Sequence, residues 1–168
     1  LGSRAARPHD PGPALTLAPP DGNGATSARM NLRLTLETSI PSDVQYIERV
    51  VALVQRQCRE LSYPNRQCAL NIPVALAEAL SNAILYGNHE DPAKPVCVRA
   101  EADRERVVIE IIDQGQGFDL EESIGDPTAP ENLRREDGRG LFLMSKLMHQ
   151  VERFSRQGNV VRLTLRRE

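Results

Sequence analysis

Two β-hairpins constrain the fold of this chain more than any other feature of its sequence. The first joins the apolar strands Val96–Ala102 and Val107–Asp113 through a short polar link. The second joins Val151–Phe154 to Val160–Leu165 through the turn Gln157-Gly158-Asn159. Strands joined so closely run antiparallel, and an antiparallel sheet buries one face against other apolar elements. The sequence therefore predicts a mostly antiparallel sheet with one covering layer.

Three stretches with apolar residues at helical spacing can supply that layer. One follows Pro41-Ser42, one runs from about Arg66 to Tyr86, and one runs from about Gly140 to His149. Pro73 is expected to kink the second helix or to mark its real beginning. A further strand with alternating leucines begins near Asn31. The order β-α-α-β-β-loop-α-β-β predicts the α+β class, with helices on one face of the sheet.

Residues 1–29 differ from the rest of the chain. They hold five of the twelve prolines and four of the eleven glycines, with almost no periodic apolar pattern. Such a segment buries too little apolar surface to offset its ordering entropy. We therefore expect residues 1–29 to be a disordered arm or a remnant of cloning, and residues 30–168 to form one domain.

The overall composition excludes several classes of function. The net charge is −2 and aromatic residues make up 4% of the chain, which argues against direct nucleic-acid binding. The sequence contains no run of 18 apolar residues, so it predicts no membrane span. The three cysteines form no CxxC pair, so we expect reduced thiols and a cytoplasmic protein.

Polar residues at helical spacing interrupt the second helix. Glu78 and Asn82 lie four residues apart and so share one face of it. A carboxylate and a carboxamide one turn apart offer oxygens to a hard cation such as Mg²⁺, which takes few protein ligands together with water and phosphate. A solvated helix face with an incidental Glu/Asn pair explains the same two residues.

Two glycine-containing segments follow. In the first, an apolar strand ends in Asp113, and Gly115 and Gly117 would let the backbone approach a ligand closely. The Asp113 carboxylate could accept a hydrogen bond from an exocyclic amine, or could belong to an ordinary Asp/Gly turn. The second segment, Gly138-Arg139-Gly140-Leu141, precedes an apolar helix, where free backbone amides can hold phosphate. A glycine-rich loop before a core helix explains it equally.

The three segments together, in this order, resemble the GHKL ATPase superfamily. The Glu78/Asn82 pair matches its N-box, the segment from Asp113 to Gly117 its G1 box, and Gly138–Leu141 its G2 box. Residues 114–137 stand where that superfamily has its ATP lid. Within it, the chain is most similar to small anti-sigma factor serine/threonine kinases of the RsbW and SpoIIAB type, over about residues 31–166.

The resemblance implies a fold, a site and a function. The fold is the Bergerat sandwich, which binds ATP with Mg²⁺. Asn82 would ligate Mg²⁺, Glu78 would be the general base, and Asp113 would bind the adenine amine. Gly115 and Gly117 of the G1 box belong to the same nucleotide site, and the amides of Gly138, Arg139, Gly140 and Leu141 would hold the phosphates. The Arg139 side chain could reach the γ-phosphate or point into solvent.

The implied role is regulatory. Such a protein binds an alternative sigma factor and phosphorylates a serine on a STAS-domain antagonist, and its relatives are commonly homodimers. One alternative is a nucleotide-binding anti-sigma or adaptor module without catalysis. Another is the ATPase domain of a larger signalling regulator. Tyr86-Gly87 stands where many relatives have His-Gly, a departure that leaves the proposed base unchanged.

Overall fold

A computed structural model of the protein describes residues 32–115 and 136–168. The expected disordered arm, Gly117 and most of the expected lid lie outside the described residues.

Five strands form a single antiparallel sheet. They are β1 (Leu34–Ile40), β2 (Val96–Ala102), β3 (Arg106–Asp113), β4 (Gln150–Ser155) and β5 (Asn159–Arg166). Their order across the sheet is β1-β2-β3-β5-β4, and every neighbouring pair is antiparallel. Both predicted hairpins are therefore confirmed.

Helices lie against one face of this sheet, as expected for the α+β class. They are α1 (Ile47–Glu60), preceded by a 3₁₀ turn (Val44–Tyr46), α2 (Ile72–Ser81) and α3 (Glu136–Leu147). α2 packs against α1, α3 and β5. The sheet face beneath them carries the alternate residues of each strand, for example Val107, Ile109 and Ile111 of β3, all of which are buried.

π-helical turns extend α2 at both ends, Gln67–Asn71 before it and Asn82–Gly87 after it. The regular α-helix begins at Ile72 with Pro73 in its first turn, so the prediction that Pro73 marks the real beginning is confirmed, although the π-helical turn before it continues the run. A proline lacks the amide hydrogen that an α-helix uses, and the wider π turn before it accommodates that loss. Gly87 ends the run, as the sequence predicts.

The helical run Gln67–Gly87 is long and apolar enough to cross a membrane by length and composition alone. Its mean hydropathy is 1.5 over the most apolar window, but half of that window is buried inside the protein. Leu76, Leu80 and Ile84 are fully buried in the core. The apolar character of this run is therefore that of a central core helix.

The opposite face of the sheet carries charged residues in register. Arg99 of β2 pairs with Glu37 of β1 at 2.9 Å, and Arg162 of β5 pairs with Glu110 of β3 at 2.7 Å. Arg162 also lies 3.7 Å from Glu152 of β4. These opposed charges stabilise cross-strand pairing on the face that the helices leave open.

The cysteines are free thiols in the structure. Cys58 and Cys68 are buried, and burial raises the pKa of Cys58 to about 12 and raises the pKa of Cys68. A thiol with a raised pKa stays protonated near neutral pH and is a poor nucleophile. Both residues therefore serve as small apolar core residues.

One side chain, Asn88, joins three loops near the end of β3. It is fully buried; its Nδ2 atom donates to Ser42 Oγ at 2.9 Å and to the Lys94 carbonyl at 2.8 Å. Its Oδ1 atom accepts from the Gln114 amide at 2.7 Å. Asn88 thereby ties the end of β3 to the segment after α2 and to the β1–α1 connection.

We expect Asn88→Ala to lower the free energy of unfolding by about 2–3 kcal/mol. The substitution leaves the Gln114 amide without its buried partner, which is costly, and removes one of the two hydrogen bonds to the Lys94 carbonyl. Urea denaturation measures the change. Asn65→Ala, at an exposed asparagine, is the matched control and should change stability by less than about 0.5 kcal/mol. Equal stability of the two variants would contradict the prediction.

Candidate nucleotide-binding site

Glu78 and Asn82 project from the second half of the α2 run. Glu78 is half-buried, whereas Asn82 is 9% exposed. The Asn82 Nδ2 atom is buried and has no hydrogen-bond partner among the described residues. A buried amide without a partner is unusual in a folded protein and points to a polar ligand.

Gly140 of α3 faces both side chains. A Cβ atom on Gly140 would lie 2.7 Å from Glu78 Oε2 and 3.6 Å from Asn82 Nδ2. Only a glycine lets α3 approach the Glu78 carboxylate this closely. The structure thus brings together two of the three predicted segments, the Glu/Asn pair and the glycine-rich segment.

The predicted start of the third helix, at about Gly140, was wrong. The described part of α3 runs from Glu136, so Gly138 and Arg139 lie within the helix and not in the loop before it. The amides of Gly140 and Leu141 bond to carbonyls one turn earlier in the helix, whereas the helical partners of the Gly138 and Arg139 amides would lie outside the described residues. Glycines disfavour helices, but Gly140 is needed for contact with Glu78.

The side chains of this segment also differ in exposure. Arg139 is exposed, so its guanidinium is on the surface of α3. Leu141 packs against the hydrophobic core and anchors the start of the helix. An exposed guanidinium is free to contact either solvent or a phosphate, so both interpretations of Arg139 stay predictions.

Asp113 ends β3 and is 6% exposed. Its Oδ1 atom accepts from the Gly115 amide at 2.9 Å and from Asn159 Nδ2 at 2.8 Å. Among the described residues no donor reaches Oδ2. The carboxylate is therefore held through one oxygen, while the other can accept a hydrogen bond from a ligand.

Two glycines make room for this carboxylate. A Cβ atom on Gly87 would lie 2.6 Å from Asp113 Cγ, and one on Gly115 would lie 2.2 Å from the Gly87 carbonyl oxygen. Gly115 requires glycine because the nearest atoms are backbone, which cannot yield as a flexible side chain can. Gly87 requires glycine because a Cβ atom there would displace the Asp113 carboxylate from its hydrogen bonds. Gly87 thus ends the α2 run and also brings it against Asp113.

A cleft with a cavity volume of about 60 Å³ opens between the α2 run and the β4–β5 hairpin. Asn82 and Asp113 both line it, whereas Glu78 and Gly140 lie outside its lining. The described residues that line it are Asn82, Ala83, Asp113, Arg153, Phe154, Ser155, Asn159, Val160 and Val161. Asn82 therefore stands between the cleft on one side and the Glu78–Gly140 contact on the other.

Sequence reasoning missed the contribution of β4 and β5 to this cleft. Asn159 was interpreted as a turn residue, but it lies directly opposite Asp113 in the β3–β5 register. Arg153 lies opposite Val161 and so faces the same side. Aligning the second hairpin against β3, with its apolar residues inward, could have placed Asn159 beside Asp113.

The described residues fit an adenine nucleotide with Mg²⁺. The Asp113 Oδ2 atom is an acceptor for an exocyclic amine, and the amides near the start of α3 are the candidates to hold phosphate. A half-turn of the Asn82 amide places its oxygen where the unpartnered nitrogen lies, and an amide oxygen is a Mg²⁺ ligand. No group of three His, Cys, Asp or Glu side chains suited to a metal occurs in the described ranges, and a nucleotide-bound Mg²⁺ needs none.

Known proteins resemble this chain in sequence. The family profile of the histidine kinase-like ATPase domain matches residues 40–165. The serine-protein kinase RsbW of Halalkalibacterium halodurans is 30% identical over 135 residues, 77% of this chain and 82% of that protein. The anti-sigma F factor of Clostridium beijerinckii is 32% identical over 102 residues, 58% of this chain and 69% of that protein.

A solved structure shares the fold. It contains the RsbU and RsbW domains of a Mycobacterium tuberculosis protein and aligns with a TM-score of 0.57 at 18% identity, over 80% of this chain and 32% of that one. The α+β sandwich inferred from the sequence, with its mostly antiparallel sheet, is confirmed. The profile covers well over half of the sequence and includes Glu78, Asn82, Asp113 and Gly138–Leu141. The chain therefore belongs to the histidine kinase-like ATPase domain family.

Proposed function

We propose that the protein is an ATP-dependent serine/threonine protein kinase that acts as an anti-sigma factor. Its relatives named serine-protein kinase RsbW and anti-sigma F factor support both halves of this proposal. The observation that carries it is the placement of Glu78 and Asn82 against Gly140, beside the cleft that holds Asp113. This arrangement brings a carboxylate, a carboxamide and a helix glycine together next to the cleft.

Each of these residues has a distinct role in the proposed reaction. Asp113 binds the adenine amine, and the amides of Gly138 and Arg139 bind phosphate oxygens. Asn82 would hold Mg²⁺, which supplies charge neutralisation on the phosphates. Glu78 accepts the proton of the attacking serine hydroxyl. The serine oxygen bonds to the γ-phosphorus as the bond between that phosphorus and the ADP oxygen breaks.

The partners follow from the same relatives. We propose that the protein binds an alternative sigma factor and phosphorylates a serine on a STAS-domain antagonist, in the cytoplasm and as a homodimer. The cleft lies on the helical side of the sheet, so the charge-paired opposite face takes no part in it.

A second candidate is the ATPase domain of a larger signalling regulator. The solved structure with an RsbU and an RsbW domain favours it, because a domain of this fold stands there within a chain about three times as long. The chemistry proposed for Glu78 and Asn82 is the same in both cases. The two candidates differ only in what else the native polypeptide contains.

Asn82→Ala tests the metal site. We expect it to weaken Mg²⁺-dependent ATP binding at least about ten-fold, because it removes the one proposed protein ligand. Calorimetric titration of ATP with Mg²⁺ and with EDTA isolates the metal-dependent part. Asn65→Ala is the matched control, and Glu78→Ala should still bind ATP.

Three outcomes of this titration count against the proposal. If the native protein binds no adenine nucleotide, the kinase function fails and a binding module without catalysis replaces it. If Asn82→Ala keeps the full Mg²⁺-dependent affinity, Asn82 is not the ligand. If Glu78→Ala also abolishes ATP binding, Glu78 acts on the nucleotide rather than on the serine.

A further inference from the structure

Asn159 occupies a fixed place beside Asp113. It is the first residue of β5 and lies directly opposite Asp113 of β3 and Ser155 of β4. Residues directly opposed in an antiparallel pair project to the same face. The Asn159 side chain accordingly lines the same cleft as the Asp113 carboxylate.

Both amide hydrogens of Asn159 are used. Its Nδ2 atom donates to Asp113 Oδ1 at 2.8 Å and to the Gly115 carbonyl at 3.0 Å. The Gly115 amide donates to the same Oδ1 at 2.9 Å. Two donors on one oxygen fix the orientation of the carboxylate and leave Oδ2 as the acceptor that faces a ligand.

The turn before β5 holds Asn159 in this place. Gly158 has a φ of +129°, and a Cβ atom there would lie 2.4 Å from the Asp113 carbonyl oxygen. Only glycine allows the hairpin turn to press this closely on the end of β3. The position of Asn159 is thus set by backbone packing, not by the flexibility of a surface turn.

We propose that Asn159 is a positioning residue which orients Asp113 and thereby selects a 6-aminopurine nucleotide. This inference rests on the proposed ATP-dependent function. With Oδ1 occupied, Oδ2 accepts a hydrogen bond from an exocyclic amine. A purine with a carbonyl at the same ring position would set one acceptor against another and is rejected.

Two nucleotides that differ only at the 6-position separate this role from a structural one. We expect Asn159→Ala to weaken ATP binding about ten-fold, the effect of disordering one hydrogen bond to a charged group. Binding of purine riboside 5′-triphosphate, which lacks the 6-amino group, should change less than about two-fold. Calorimetry in excess Mg²⁺ measures both, and Asn65→Ala is the matched control.

The outcomes are distinguishable. An equal loss for both nucleotides would mean that Asn159 only supports the fold of the cleft, and no loss for either would mean that it has no role; each overturns the inference. If the native protein binds both nucleotides equally well, the proposed adenine contact of Asp113 fails. If it binds neither, the proposed function fails, and the inference fails with it.

Asn159→Asp gives an independent readout. The substitution replaces both amide hydrogens with acceptors next to the Asp113 carboxylate, so ATP binding should weaken at least as much as in Asn159→Ala. ATP binding at the native level would contradict the role of Asn159 as a donor to Asp113.

Discussion

Replacing Glu78 with glutamine is expected to slow phosphoryl transfer to a serine about 10³-fold, with ATP affinity changed by less than about two-fold. The glutamine keeps the size of the side chain and its place beside Gly140, but it cannot accept the serine proton. Because general-base removal acts on the transition state, the loss should be in the transfer rate and not in nucleotide binding. Single-turnover transfer from labelled ATP to a STAS-domain substrate measures it.

The matched control for this experiment is Glu60→Gln. Glu60 is exposed at the end of α1 and pairs with Arg56 at 2.9 Å on the helix surface. Its substitution should leave transfer unchanged, since exposed ion pairs contribute little. Transfer by Glu78→Gln at the native rate would falsify the assignment of Glu78 as the base. Another group would then have to accept the serine proton.

Most of the fold could be predicted from the sequence because short-range patterns determine it. Two hairpins with short links admit only antiparallel pairing, and the helical run around Leu76 and Leu80 is too apolar to lie anywhere but the core. Pro73 and Gly87 also act locally, and their positions relative to α2 were predictable. Local pattern was therefore sufficient for the elements and their order.

The parts that could not be predicted depend on contacts between distant residues. α3 includes the four residues before Gly140, where the sequence predicted a loop. The glycine at position 140 is explained by its close approach to Glu78, 62 positions earlier in the sequence, and not by a loop around it. Asn159 was assigned to a turn by its neighbours, although its partner Asp113 belongs to another hairpin. Local propensity carries no information on either pairing. Both lie at the candidate site, where local preference and tertiary contact conflict.

Gly140→Ala is expected to slow phosphoryl transfer about 10²-fold without loss of stability. The added Cβ atom would lie 2.7 Å from Glu78 Oε2, so the carboxylate must move by several tenths of an ångström. The nearest atom is the end of a flexible side chain, so the fold can adapt. Alanine is also the better helix former by about 1 kcal/mol. The free energy of unfolding should therefore rise, whereas the rate of single-turnover transfer should fall.

Ser145→Ala on the same helix is the control, because Ser145 is exposed and lies outside the cleft lining. It should leave the transfer rate at the native value. A Gly140→Ala variant that transfers phosphate normally would show that the contact with Glu78 is incidental. One that unfolds more easily would show that backbone, and not the Glu78 carboxylate, limits the space at this position.

Combining Gly140→Ala with Glu78→Gln tests whether the two residues act as one unit. If the alanine acts only by displacing the base, then Gly140→Ala should not slow transfer further in a protein that already lacks the base. The double variant should transfer phosphate no more slowly than Glu78→Gln alone, within about two-fold. Additive losses would instead mean that Gly140 acts directly on the phosphates through the backbone of α3. The close approach of α3 to α2 would then serve the nucleotide rather than the general base.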